Sequence, residues 1–156
     1  MRHEIPISIA GLGIIIYSPF AVAFICEGED YFSSTFHDPA NVAAHAMRGD
    51  ILTFCTGSGS DFRLVVYDGL LDEVRLLLSE FKLRLCLDVR GGQVCFRDLY
   101  DLLDWTALCP ASQQIELADG FYSVTVYSST PASGIIGDSQ PIYIHFEKVV
   151  RRPEIK

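Results

Sequence analysis

The chain has 156 residues, 49% of them apolar, and a formal net charge of −8. That is enough chain to bury a sizeable core in one domain without a disulfide or metal staple. The acidic balance argues against nucleic acid and anionic membranes as partners.

Ile5–Ala10 alternates loosely and Gly13–Tyr17 is continuously apolar, so both read as strands. No residue from Ile5 to Cys26 is charged, a length that imitates a membrane span or a secretory signal. Pro6 and Pro19 interrupt the run, and Ser8, Gly11, Gly13 and Ser18 dilute it, which favours buried strands. Phe20–Cys26 is a further apolar strand candidate, followed by the polar loop Glu27-Gly28-Glu29-Asp30. A helix is predicted over 39–48: Asp38 suits the N-cap, Pro39 the first turn, Arg48 the last turn and Gly49 the position after it. Val42, His45 and Ala46 would share its inner face.

Strands are then predicted at Ile51–Thr56, Phe62–Tyr67, Val74–Phe81, Leu83–Val89 and Gln93–Phe96, with turns at 57–60 and Asp68-Gly69. Gly91-Gly92 between two of these strands predicts a hairpin. Asp98–Trp105 reads as a short helix or turn, Gln114–Leu117, Phe121–Tyr127 and Pro141–Val150 as strands, and Ser128–Asp138 as a loop. The expected fold is all-β: an antiparallel sandwich of about eight to ten strands with one or two short helices, a single domain over 1–156. The basic stretch 149–156 is expected to fray. Within residues 117–126 (LADGFYSVTV), Gly120 precedes Tyr122 by two positions at a strand start. This resembles a tyrosine corner, in which the phenol bonds back to the backbone between sheets.

The five cysteines, Cys26, Cys55, Cys86, Cys95 and Cys109, are odd in number and form no CxxC pair. Reduced thiols in a cytoplasmic setting are the expectation, with Cys86 and Cys95, flanking the predicted hairpin, as the pair to watch.

No phosphate-binding loop, dinucleotide fingerprint, nucleophile elbow or zincin motif occurs. Catalytic residues, metal ligands and cofactors are therefore not assigned, and the four histidines are read as structural. The charge is uneven instead. Residues 26–73 hold nine acidic and two basic side chains, and residues 98–147 hold seven acidic and no Lys or Arg. Asp98, Asp101 and Asp104, spaced i, i+3, i+6, would fall near one helix face opposite Leu99, Leu102 and Leu103. They read either as a solvated face or as a patch meeting Lys and Arg, with a metal site the weaker option. Trp105, the single Trp, is either a core plug or an interface anchor beside these acids.

Laid end to end, the strand order resembles the competence protein J-like group, small bacterial β-sandwich proteins. The segments that carry the resemblance are EIPISIAGLGIIIYSP, DPANVAAHAMRG, GDILTFCTGSGSDFRLVVYDG, LRLCLDVRGGQVCF, QQIELADGFYSVTVYSSTP and SQPIYIHFEKV, over about residues 4–149. Two features depart from the group: Phe36-His37-Asp38 stands where it usually has a Trp, and Asp98–Cys109 looks inserted. The resemblance implies a sandwich that inhibits a partner nuclease.

Acidity and resemblance together predict a non-enzymatic inhibitor or immunity protein whose partner is a cognate toxin or nuclease. Glu27, Glu29, Asp30, Asp101, Asp104 and Trp105 are the expected contacts. Two alternatives stay open. One is a small-ligand or carbohydrate-binding sandwich with an aromatic pocket around Tyr17, Tyr31 and Phe32. The other is a scaffold domain of a secretion or defence assembly.

Overall fold

The computed structural model describes residues 2–11, 13–56, 59–68, 77, 81–128 and 138–149. Nine strands and one α-helix are found among them: β1 (Arg2–Ile9), β2 (Gly13–Tyr17), α1 (Pro39–Arg48), β3 (Ile51–Cys55), β4 (Ser60–Asp68), β5 (Phe81–Val89), β6 (Gln93–Asp98), β7 (Gln114–Glu116), β8 (Gly120–Ser128) and β9 (Asp138–Val149). They form a five-stranded sheet in the order β1-β4-β9-β8-β5 and a four-stranded sheet in the order β3-β2-β6-β7. The protein is an all-β sandwich, as expected. Every strand pair is antiparallel except β4–β9, which is parallel. Of the expected turns 57–60 and Asp68-Gly69, residues 57–58 and 69 lie outside the described residues, as do 74–76 and 78–80 of the expected strand Val74–Phe81, the loop residues 129–137 and the tail beyond 149.

Period-two alternation builds the core. Ile5, Ile7 and Ile9 of β1, Leu64 and Val66 of β4, Val124 and Val126 of β8, and Ile142, Ile144 and Phe146 of β9 point inward from the larger sheet. Ile14 and Ile16 of β2, Leu52 and Phe54 of β3, and Val94 and Phe96 of β6 answer them from the smaller one. The residues between these do not face water. Ile15, Tyr17, Ile51 and Cys95 join a second core with Val22, Ile25, Tyr31, Phe36, Leu102, Trp105 and Cys109. The four-stranded sheet is thus buried on both faces, against the other sheet inside and against a roof of connecting segments outside. That is why β2 reads as an unbroken apolar run rather than an alternating one.

Three sequence readings are corrected. Phe20–Cys26 is not a strand: Pro19–Val22 is a 3-10 turn with Pro at its start, and Ala21, Val22 and Ile25 bury into the roof core. An apolar run bounded by Pro serves either role, and only tertiary packing separates them. Gly91-Gly92 does not close a hairpin: β5 pairs with β8 and β6 with β2 and β7, so the turn crosses between sheets. Consequently Cys86 and Cys95 belong to different sheets and are not cross-strand neighbours. The segment after β6 is a 3-10 turn, Leu99–Leu103, in which Leu102 is buried and Leu103 exposed. Asp98 and Asp104 flank that turn as its cap residues with non-helical backbone, so the three acids do not share the helix face expected of them.

α1 follows its cap signals. The Asp38 carboxylate accepts from the Ala40 amide at 2.9 Å, Pro39 opens the helix, and Gly49 ends it with φ 72°. His45 is buried on its inner face, with Val42 and Ala46 packed against the two cores. The tyrosine corner is present: the Tyr122 hydroxyl donates to the Ala118 carbonyl at 2.6 Å.

Candidate functional site

The acidic candidates named from the sequence lie on segments of the roof over the four-stranded sheet, and backbone bonds join two of those segments. The Gly28 amide donates to the Trp105 carbonyl at 2.7 Å, and the Trp105 amide donates to the Glu29 carbonyl at 3.0 Å. Those two bonds zip the 26–30 loop to the 104–107 segment. The Glu27 carboxylate adds a third tie, accepting from the Ala107 amide at 2.7 Å. Two chain segments some 75 positions apart in sequence therefore lie side by side, which brings Glu27, Glu29 and Asp30 near Asp104, with Asp101 in the turn that leads into the second segment.

Most of these carboxylates are held rather than free-swinging. Glu29 Oε1 accepts from the Cys26 amide at 3.0 Å, and Asp30 Oδ1 accepts from the Ser33 amide at 2.8 Å. Asp101 Oδ2 accepts from Arg97 Nε at 2.8 Å. Each of the four fixed groups is anchored through one oxygen, so little side-chain entropy remains to be lost when a cation binds the other. Asp104 is exposed beside Gly28.

Asp98 does different work. Its carboxylate accepts from the amides of Ala10 and Gly11 at 2.8 and 3.2 Å and caps the 3-10 turn through Tyr100 at 3.0 Å. A side chain at Gly11 would collide with that carboxylate. Asp98 is a structural staple between β1, β2 and β6, not a member of the acidic surface.

Trp105 requires a correction. Its indole is 1% exposed, so it is a core plug and offers no surface for a partner to grip. It supports the acidic surface from beneath. The Arg97 guanidinium lies 4.3 Å from the Trp105 ring, and Tyr17 meets the same ring edge-on at 5.7 Å. Arg97 is 3% exposed and bonds through Nε and Nη1. Besides Asp101, its Nη1 donates to the Thr106 carbonyl at 2.6 Å and to the Tyr17 hydroxyl at 3.2 Å. Burial pushes the Tyr17 phenol well above its usual range despite this guanidinium. Arg97 was not singled out from sequence. The one available signal was its position as the last base before a 50-residue stretch with neither Lys nor Arg.

Exposed apolar side chains stand on the same connections: Phe24 at 53%, Leu108 at 80%, Tyr100 at 37% and Leu103 at 38%. Sequence reasoning missed these too, because each sits in a run that reads as core.

A second polar cluster anchors α1 to the roof. His45 Nδ1 lies 2.7 Å from Asp50 Oδ1, and its Nε2 lies 2.6 Å from the Tyr31 hydroxyl. With Nδ1–H directed at the carboxylate, Nε2 accepts the phenolic proton. Tyr31 and His45 are both buried, and Phe24 stacks on the imidazole with ring centroids 6.2 Å apart.

The aromatic pocket of the ligand-binding alternative is filled. Tyr17 and Tyr31 are core residues, and Phe32 packs edge-on against Tyr100 at 5.8 Å. The clefts found elsewhere, one lined by Gly91, Gly92, Gln93, Glu116, Leu117 and Ala118 and another between β1 and β4, include none of the three. Among the described residues, no group of three or more His, Cys, Asp or Glu is placed to hold a metal, and no helix is long and apolar enough to cross a membrane.

No protein-family model and no curated protein sequence matches the chain. Two solved structures are similar to it. A protein described as crocagin biosynthetic gene J matches 95% of this chain and 98% of its own length, with TM-score 0.61 and 12% identity. ComJ from Bacillus subtilis, an inhibitor of the DNA-degrading activity of NucA, matches 96% of both chains, with TM-score 0.49 and 10% identity. The likeness to the crocagin protein is one of fold.

Proposed function

We propose that this protein is a non-enzymatic inhibitor of the immunity type, which neutralises a cationic toxin or nuclease by covering its substrate groove with the acidic surface of the roof. The observation that carries the reading is the convergence of Glu27, Glu29, Asp30, Asp101 and Asp104 through the zipped 26–30 and 104–107 segments. Carboxylates fixed in place are suited to replace the phosphates of a nucleic acid in a groove lined by Lys and Arg. Long-range attraction between such surfaces raises association rates, up to about 10⁸–10⁹ M⁻¹s⁻¹ at low salt. Phe24, Tyr100, Leu103 and Leu108 supply apolar area that slows release once the surfaces meet. The resemblance seen in the sequence points to the same class of partner.

The test is affinity capture with the tagged full chain, followed by association kinetics with the captured protein. The Asp104→Lys variant should associate several-fold more slowly at low salt and nearly as fast as wild type at high salt. A control reversal on the other sheet, Glu147→Lys, should have little effect. A partner whose association ignores salt and Asp104→Lys would sink the electrostatic reading.

A further inference from the structure

Leu108 is the most exposed large apolar side chain among the described residues, at 80%, and it stands on a loop that is tied down on both sides. Before it Trp105 is buried, its amide donating to the Glu29 carbonyl and its carbonyl accepting from the Gly28 amide. After it Cys109 is buried, and the Cys109 carbonyl accepts from the Gln114 side-chain amide at 2.7 Å. Between them the Thr106 carbonyl accepts from Arg97 Nη1 at 2.6 Å, and the Ala107 amide donates to the Glu27 carboxylate at 2.7 Å. The Leu108 amide itself donates to the Thr106 hydroxyl at 3.4 Å. β6 supplies Arg97, β7 supplies Gln114 and the 26–30 loop supplies Glu27, so three separate parts of the chain fix this one loop.

Fixing these residues costs conformational entropy, yet the side chain at the apex is left in water. Other exposed apolar groups of the roof have partners within the chain: Phe24 stacks on His45, and Tyr100 meets Phe32 edge-on. An apolar side chain already fixed in an exposed position loses little freedom when another molecule covers it, so its burial counts almost fully toward slow release. The surroundings restrict what can cover it. Glu27 bonds the adjacent residue, and exposed Asp104 lies in the same segment. A second copy of this chain would bring like charges together there, whereas a protein with Lys or Arg around an apolar pocket would pair them.

We propose that Leu108 is the anchor of the binding surface. It enters a leucine-sized apolar pocket on the partner protein, rimmed by Lys or Arg, and Glu27 holds the loop in the shape that presents it. The assignment rests on the reading that the roof binds a cationic protein, and it names the feature of that protein by which the complex is retained.

Two measurements on the full chain test it. In the free protein, amide exchange followed by NMR should show the Ala107 amide protected about tenfold or more over an unstructured chain, and Glu27→Ala should abolish that protection. The protein that tagged wild type captures from the source cell then serves as the probe for release from wild type, Leu108→Ser and Leu103→Ser. Leu108→Ser should release it about tenfold or more faster, with an association rate within about twofold of wild type, and Leu103→Ser should release it at close to the wild-type rate. Leu108→Ser should melt as wild type does, since the side chain it removes is exposed. An unprotected Ala107 amide overturns the proposal, as does equal release from wild type and Leu108→Ser, or a wild-type chain that retains no protein. If Asp104→Lys slows association while Leu108→Ser releases like wild type, the anchor alone falls. Fast release from Leu108→Ser with association indifferent to Asp104→Lys removes the electrostatic reading and leaves the anchor standing.

Discussion

The Arg97 guanidinium and the Trp105 ring stack at 4.3 Å with both side chains buried, and on this contact the roof is built. A buried cation is tolerated when each of its N–H groups finds an acceptor, and removing it orphans those acceptors instead. Arg97→Leu leaves the Thr106 carbonyl and the Tyr17 hydroxyl short of a partner and leaves Asp101 without its ion pair. The expected loss is about 3 kcal/mol, read as a lower denaturant midpoint. Arg97→Lys should recover little, since an ammonium cannot present the planar fork that reaches both Asp101 and Thr106.

Asp101 and Asp104 differ in a way their shared spacing hides. Asp101 is tied to Arg97, whereas Asp104 stands exposed. Asp104→Lys should change stability by no more than about 0.5 kcal/mol. Asp101→Lys places a second cation against a buried one and should cost roughly 1–2 kcal/mol, tempered by the solvent that reaches the carboxylate. Thermal denaturation of the two variants side by side checks this. Equal losses would mean that the Arg97–Asp101 pair contributes nothing.

Tyr122→Phe removes the hydroxyl that bonds Ala118. The ring is 4% exposed and stays in place against Phe146, so packing is kept and only the bond is lost. Because Ala118 itself is exposed, water can take over its carbonyl. The expected cost is therefore about 1 kcal/mol, at the lower end for a buried hydroxyl. A midpoint equal to wild type would show that the corner is decorative.

Much of this architecture was readable where local chemistry decides the outcome. The Asp38-Pro39 start and Gly49 stop of α1 are chemical signals confined to a few residues, and so is the Gly120–Tyr122 corner. What could not be read depends on which sheet a strand joins. Gly91-Gly92 carries a hairpin signature, yet β5 and β6 pair with different partners. Nothing in residues 60–68 announces a parallel neighbour at 138–149. The acidic residues of the site were legible as charge, but their meeting was not, because it rests on backbone bonds between Gly28, Glu29 and Trp105. Trp105 itself was open between two roles, and its burial settled which one.

The polar anchor of α1 gives the protein an acid-sensitive point at Asp50. Burial alone would raise the pKa of this carboxyl, but the hydrogen bonds from His45 and Arg48 outweigh it and hold the group below its ordinary value. A carboxyl whose folded pKa is depressed binds its proton more readily in the unfolded chain. Its contribution is therefore complete above the unfolded value of about 3.9 and is lost as pH falls through the lower folded value. Asp50→Asn keeps a hydrogen-bonding group for the Ile51 amide but removes the charge that faces His45 and Arg48. At pH 6 the variant should melt below wild type by roughly 2–4 °C, if the charge is worth about 1 kcal/mol. Below pH 4 the two melting curves should converge, because wild type is then losing the same charge. A gap that stays constant from pH 6 to pH 3 would show that Asp50 acts through its shape and neutral hydrogen bonds, and that its ionisation plays no part in holding α1 to the roof.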